Sequence, residues 1–487
     1  MASMNAFGKC RWAVLLTASL AMAQTSDLPE KGWAQNSVNA VVFRGNSVVT
    51  SGKSQYVAYY NGEGKVVLAK RTTGSTAWQS QVTQYSGTVA DAHNSISIAV
   101  DGDGYLHMSW DMHAGKLRYC KATAPGELTL GVESAMVGSL ETATTYPQFL
   151  KQANGNLIFL YRSGGSGNGD LVVNQYDLKT RKWSRMFDKL IDGQGARNAY
   201  WEAHIDAAGV IHLGWVWRET SDVATNHDIC YARSRDGGAS WETSKGVKYA
   251  IPINATSAEY ALKIAQKSEL INQTSIYGDE KSRPYIASYW TPVGATIPQY
   301  QLVYNDETGW KTSQISNRKL DFSLSGTGTQ KIPISRPQIL IDGSRDSVAA
   351  YMVYRDTEQV SKVSMAQTSN LARGKWTSSN LTSYSVDAWE PSFDTQLWNQ
   401  SHVLDLYVQR VAQASGEGSV SLEPQTVTIL EWKPPVVVGV GSRLPVVKSG
   451  ESRRFGPTGR TLGHGTAHGV FLDGDDKGPG LEFGDLP

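Results

Sequence analysis

His93 and His113 stand about equally far on either side of an Asp101-Gly102-Asp103-Gly104 turn. A hairpin folded there makes them near cross-strand neighbours at its open end. Imidazoles titrate near neutral pH, so such a pair is suited to moving a proton. The next hairpin opens on Tyr146-Pro147 and closes on Arg162, and the one after opens on Tyr200-Trp201 and closes on Arg218. A phenol can donate a proton, and a guanidinium binds carboxylate or sulfate through paired hydrogen bonds. Tyrosine and tryptophan also offer flat faces to sugar rings. His93-Asn94 opens the first hairpin, while Arg336-Pro337 and Trp389-Glu390 open two later ones that close on Arg355 and Arg410. Any one of these arginines is more simply read as a bond between neighbouring sheets. Gathered with two histidines and two tyrosines, they point to an anionic sugar ligand. The candidate contacts are Asn94, Tyr200, Trp201, Arg218, Arg336 and Arg355, around His93, His113, Tyr146 and Arg162.

A repeat positions these residues. Asp101-Gly102-Asp103-Gly104-Tyr105-Leu106-His107-Met108-Ser109-Trp110 matches Asp206-Ala207-Ala208-Gly209-Val210-Ile211-His212-Leu213-Gly214-Trp215, with weaker copies at 154–161 and 342–351. Each reads as strand, tight turn and strand. Further along one unit, Ser234-Arg235-Asp236-Gly237-Gly238-Ala239-Ser240-Trp241 fits the Asp-box pattern, a hairpin turn whose tryptophan packs between sheets; degraded copies end at Trp78, Trp183, Trp310 and Trp376. Seven units of this length over 38–432, without a convincing amphipathic helix, predict an all-β fold, a single seven-bladed β-propeller. Val38 to Phe43 is the expected closing strand. In a propeller these strand ends share one rim around the central channel.

Other histidines and cysteines read differently. His107 and His212 occupy the same repeat position beside the turn, which marks them as structural. His227 and Cys230 form the one local His/Cys pair, an incomplete ligand set for a structural zinc. Cys120 and Cys230 fill equivalent places in successive units, which argues for packing.

The composition narrows the partners. Lys+Arg number 46 against 45 Asp+Glu, a net charge of +1, so no global field favours nucleic acid or an anionic membrane surface. With 15 Trp, 22 Tyr and 10 Phe the chain is not disordered throughout, and three cysteines build no disulfide scaffold. Lys9 and Arg11, the apolar run Trp12 to Ala21 and Ala21-Met22-Ala23 make residues 1–23 a secretory signal, too short for a membrane anchor. The expected order is signal 1–23, linker 24–37, propeller 38–432 and a Pro/Gly-rich tail 433–487, flexible or foreign to the domain. The protein is expected to be secreted and to act as a monomer.

Several motifs together resemble the BNR-repeat propellers that include the ulvan lyases of polysaccharide lyase families 24 and 25. They are Asp91-Ala92-His93-Asn94-Ser95, Thr145-Tyr146-Pro147-Gln148-Phe149, Ser163 to Asp170, Trp215-Val216-Trp217-Arg218-Glu219 and Ser335-Arg336-Pro337, spread over nearly all of 38–432. The resemblance implies cleavage of a uronate-containing polysaccharide, with glucuronate or iduronate linked to rhamnose, by β-elimination. It implies a histidine pair at His93 and His113, a tyrosine at Tyr146, an arginine at Arg162 and a further tyrosine at Tyr200, with Arg218 assisting. In that chemistry neutral His93 or His113 suits as the base, according to the C5 epimer; we assign His93 as base, Tyr146 as acid and Arg162 as neutraliser of the carboxylate, with His113 binding or polarising it. No cofactor is needed for the reaction, and the resemblance allows a structural metal, zinc or calcium. Other readings use the same scaffold: a sialidase, whose early Arg-x-Pro motif occurs here only as Arg443-Leu444-Pro445 in the tail; a rhamnosidase-like glycosidase; or a non-catalytic carbohydrate-binding propeller.

Overall fold

The computed structural model describes residues 23–344 and 347–435; the expected signal segment, but for Ala23, and the tail beyond Pro435 lie outside them. Seven small antiparallel sheets form the blades of a β-propeller. Blades one, five and six span 48–86, 275–314 and 338–385, each with four strands. Blade two comprises Ile96–Val100, Leu106–Trp110 and Tyr119–Lys121. Blade three comprises Thr144–Lys151, Leu157–Gly165, Asn168–Asp177 and Lys182–Ile191, with the short strand His113–Gly115 added at its inner edge. Blade four comprises Asn198–Ile205, Ile211–Arg218, Asn226–Ser234 and Glu259–Leu262.

The turns follow from their aspartates. Asp101 Oδ1 accepts from the backbone N–H of Asp103 and Tyr105 (3.0 and 2.9 Å), and Oδ2 meets His107 Nε2 at 3.1 Å. His107 Nδ1 lies 2.9 Å from the Tyr119 hydroxyl. Asp206, His212 and Tyr231 repeat the arrangement, at 3.0 Å for Asp206 to His212 and 2.8 Å for His212 to Tyr231. Both histidines are fully buried, so they are structural, as their repeat position indicates. In the Asp box, Asp236 accepts from the backbone N–H and hydroxyl of Ser240 (2.9 and 2.6 Å), and the Trp241 ring is buried. The four degraded copies leave their tryptophans half-buried.

Ring closure differs from the sequence expectation. Gln24–Asp27 forms the outermost strand of blade seven, antiparallel to Thr428–Trp432, with Gln24 opposite Glu431 and Asp27 opposite Thr428. The first residues of the expected linker are therefore a blade strand. Residues 38–43 are turns rather than the closing strand. Their apolar character has another cause: Val38, Ala40, Val41, Val42 and Phe43 are all buried.

Blade seven meets blade one through buried polar groups. Arg71 Nη2 is 2.6 Å from Asp405 Oδ2, and Gln55 Nε2 donates to Asp405 Oδ2 and Asp394 Oδ2 (2.8 and 2.9 Å). Removing one partner of such a pair strands the other charge out of water. Arg71→Leu is expected to destabilise the protein by about 3–5 kcal/mol, read by urea unfolding. A change within measurement error would show that the seam does not depend on this pair.

Candidate active site

Asp91 organises the histidines. Its Oδ1 accepts from the His93 backbone N–H at 2.9 Å, which closes the turn and fixes the side chain. The same oxygen lies 3.2 Å from His93 Nδ1, and Oδ2 lies 2.6 Å from His113 Nδ1. The rings stack with centroids 4.0 Å apart and planes 14° from parallel. His113 reaches this place because Asp111 adopts a left-handed backbone (φ 59°) after Trp110, and the chain then pairs with blade three, His113 opposite Thr145. A carboxylate against each Nδ1 favours the tautomer with its proton there, which leaves Nε2 of the neutral ring as the acceptor. Burial opposes charge on His93, but hydrogen bonds to Asp91 and Glu417 outweigh it and raise its pKa. Burial acts on Asp91 too, yet the bonds from His113 and His93 hold its carboxyl well below the usual range.

Tyr146 has a left-handed backbone (φ 58°) immediately before Pro147, at a bulge where the register shifts between Thr145 and Gln148. Such a conformation costs a bulky residue about 1–3 kcal/mol and is typically retained at sites of function. It brings the phenol ring 5.9 Å from His93, 5.8 Å from Tyr200 and 5.1 Å from Phe43, with the Arg162 guanidinium 5.0 Å over its face. Burial and Tyr200 raise its pKa, against the pull of Arg162, Arg218 and Arg336, so it stays protonated. Tyr200 behaves oppositely. Burial pushes its pKa up, but Arg218 and Arg162 bring it below its ordinary value. Its hydroxyl lies 2.8 Å from Ser166 Oγ and accepts from Arg218 Nη1 at 3.2 Å.

The arginines divide into two kinds. Arg162 and Arg218 are buried, and no carboxylate among the described residues lies within ion-pair distance of either. Arg162 Nη2 donates to Thr145 Oγ1 (2.9 Å), Arg218 Nη2 donates to the Ser221 carbonyl, and both Nε atoms are without a partner. A buried cation without a counter-ion is costly, so both are arranged for an anion from outside. Arg336 is instead neutralised by Glu390 (Nη2 to Oε2, 2.8 Å). Arg355 donates to the carbonyls of Trp389, Ile332 and Pro333 at 3.1, 3.0 and 2.9 Å. Arg410 pairs with Asp387 at 2.6 Å on the surface.

An open cleft of about 1000 Å³ collects His93, His113, Tyr146 and Arg162, all four expected catalytic residues. Of the expected sugar contacts it collects Tyr200, Arg218 and Arg336. The others do not line it. Asn94 is buried and donates to the Thr88 carbonyl (2.9 Å), Trp201 stands edge-on behind Tyr146 at 6.1 Å, and Arg355 caps backbone carbonyls. The expected metal pair is not assembled. His227 is held by Glu219 (2.8 Å) and Asp228 (3.1 Å), while Cys230 is buried in the core opposite Trp215. Asp91, His93 and His113 bring three metal-capable groups within 4.8 Å of one another. Within that cluster the Asp91 carboxylate lies against the Nδ1 atoms of both rings.

Phe43, Thr329 and Glu417 also line the cleft and were not foreseen. Phe43 stacks on His93 at 5.1 Å, and Glu417 Oε1 lies 3.1 Å from His93 Nδ1. Asp91 was visible as part of the Asp-x-His motif, two residues before His93, but without a role.

Known proteins resemble this chain in sequence and in fold. A family model described as "BNR repeat-containing family member" covers residues 54–318. The long isoform of ulvan lyase from an Alteromonas species is 26% identical over 332 residues, 53% of this chain and 33% of that protein. The short isoform from Alteromonas strain LOR is 27% identical over 242 residues, 38% of this chain and 45% of that protein. The chain thus spans less than half the length of these relatives. Among solved structures, the polysaccharide lyase Uly1 shares the fold with a TM-score of 0.63 at 15% identity, covering 85% of this chain and 100% of that one. An ulvan lyase of polysaccharide lyase family 25, bound to a repeat of glucuronate and 3-sulfated rhamnose, has a TM-score of 0.58 at 12% identity, covering 81% and 98%.

The unpaired arginines make a direct prediction. Sulfate at constant ionic strength is expected to raise the thermal midpoint by binding the folded state, and Arg162→Met and Arg218→Met to lose that rise. An equal rise in both variants would show that the anion binds elsewhere.

Proposed function

This chain belongs to the BNR repeat-containing family, and from that premise we propose that it is a secreted polysaccharide lyase. Its substrate is an ulvan-like anionic polysaccharide, with glucuronate or iduronate linked to rhamnose, cleaved by β-elimination. One observation carries the reading: two buried arginines without a counter-ion among the described residues flank a protonated phenol and a carboxylate-bound histidine pair. The ulvan lyase relatives and the neighbour bound to a glucuronate–rhamnose repeat support the same substrate class.

The reaction assigns a task to each group. Arg162, assisted by Arg218, binds the uronate carboxylate and stabilises the negative charge that develops when the C5 proton leaves. His93 Nε2 accepts that proton, while Asp91 fixes its tautomer. The C5–H electron pair becomes the C4–C5 double bond, and the C4–O bond breaks. Tyr146 donates its phenolic proton to the departing oxygen, which becomes the hydroxyl of the released sugar. His113 orients the carboxylate, and Tyr200 and Arg336 line the sugar site. A glycosidase of the paired-carboxyl kind would need two such groups across the scissile bond. Among the described residues lining the cleft, Glu417 is the carboxylate, and it is engaged by His93.

Incubation with ulvan or another glucuronate–rhamnose polymer is expected to generate the ultraviolet absorbance of an unsaturated uronate. Retained binding without any rise on uronate polymers would reduce the protein to a carbohydrate-binding propeller. His93→Ala and Tyr146→Phe are each expected to lower kcat/KM by about 100-fold or more; full activity in either variant would reassign that role. The base works only when neutral, and the His93 pKa is raised. Activity should therefore climb with pH above the free imidazole value of about 6.5, measured as the acid limb of kcat/KM.

A further inference from the structure

The proposed base is also held from a part of the chain that contributes no blade strand. Glu417 lies in the long connection between Leu404–Val408 and Thr428–Trp432. Its Oε1 is 3.1 Å from His93 Nδ1. The same oxygen accepts from the backbone N–H and hydroxyl of Thr329 (2.8 and 3.2 Å), which lies in the connection between blades five and six. The Gly416 N–H donates to the Thr329 carbonyl at 2.9 Å. Gly328 has φ +76°, and a Cβ there would stand 3.2 Å from Glu417 Oε1, so glycine permits the close approach. The Thr329 loop is tied in turn to blade four: Gly326 N–H donates to Asp222 Oδ1 at 2.8 Å and Val223 N–H to the Gly326 carbonyl at 3.0 Å.

Two loops therefore converge on one carboxylate oxygen, and that oxygen rests on the His93 ring nitrogen turned away from the free lone pair. We propose that Glu417 is a positioning residue for His93, joining the loop wall of the cleft to the base so that the seating of the wall sets the orientation and protonation of the imidazole. This rests on the reading of His93 as the base.

The groups facing His93 are few. Asp91 comes from its own turn, His113 stacks at 4.0 Å, Tyr146 approaches from blade three at 5.9 Å, and Thr329 Oγ1 lies 3.4 Å from Nδ1. Phe43 stacks at 5.1 Å with the Arg336 guanidinium 5.1 Å beyond it, and that cation is already paired with Glu390. Asp91 and Glu417 are the two carboxylates in this set. Asp91 is shared between both histidines, whereas of the two imidazoles Glu417 contacts that of His93. Loss of the Glu417 charge thus acts on one imidazole and leaves the dyad's shared carboxylate in place.

The test is the titration of His93 in the full chain by NMR of histidine-labelled protein, its signal identified by loss in His93→Asn. Glu417→Gln keeps the side-chain size and removes the charge, and is expected to lower the His93 pKa by about one unit, with Glu417→Asp restoring it. The acid limb of kcat/KM should move to lower pH by the same amount, with the thermal midpoint as a check on folding. An unchanged His93 titration in a folded Glu417→Gln variant overturns the proposal. If the titration shifts but the wild-type chain yields no unsaturated product from any uronate polymer, the positioning of His93 stands and the lyase reading falls.

Discussion

A ring of seven sheets has one seam where distant parts of the chain must meet, and the placement of every rim residue depends on that seam holding. Here Gln24–Asp27 and Thr428–Trp432 lock blade seven together by backbone pairing. The buried Arg71–Asp405 pair, with Gln55 and Asp394, then clamps blade seven to blade one. Loop closure over some four hundred residues costs conformational entropy, and the paired strand and the desolvated ion pair both act against it. Blades two, three and four can deliver groups from three separate hairpins to one cleft because the ring fixes their mutual angles.

Within the cleft the electrostatics are uneven by construction. A chain with 46 basic and 45 acidic side chains has almost no net charge, yet Arg162 and Arg218 have no carboxylate partner among the described residues while Arg336 and Arg410 are matched by Glu390 and Asp387. The two cations also separate the two phenols. Tyr200, whose hydroxyl accepts from Arg218, is made more acidic, whereas Tyr146 is governed by burial and keeps its proton. On the other flank, Asp91 and Glu417 make the neighbouring imidazole more basic. A basic nitrogen, an unionised hydroxyl and an unneutralised cation therefore occupy neighbouring places through local partners alone.

What could be read in the amino-acid order was what short-range physics determines. The Asp101 and Asp206 turns close on hydrogen bonds within six residues, so their pattern shows in the text, and with it the repeat, the blades and the rim positions of His93, His113, Tyr146 and Arg162. Long-range pairing did not show. Gln24–Asp27 has no apolar alternation because only Ser26 is buried, and its partner strand lies at the other end of the chain. Residues 38–43 look like a strand because they are apolar, but they are apolar because they fill the interior. Arg355 and Arg162 occupy equivalent strand ends, and what separates them is the set of carbonyls that loop 332–333 and Trp389 present to one and not to the other. Glu417 sits in a polar connection with neither period nor motif.

The short strand His113–Gly115 leaves blade two and is hydrogen-bonded into blade three. Neither repeat therefore owns the histidine pair: one imidazole is carried by the turn before blade two, the other by the edge of its neighbour. A single repeat taken alone would carry a hairpin but not the site, because the pair needs the turn before one blade and the edge of the next. The cleft is thus a property of neighbouring blades held at fixed angles, with Thr329, Arg336 and Glu417 brought to it from connections further along the chain.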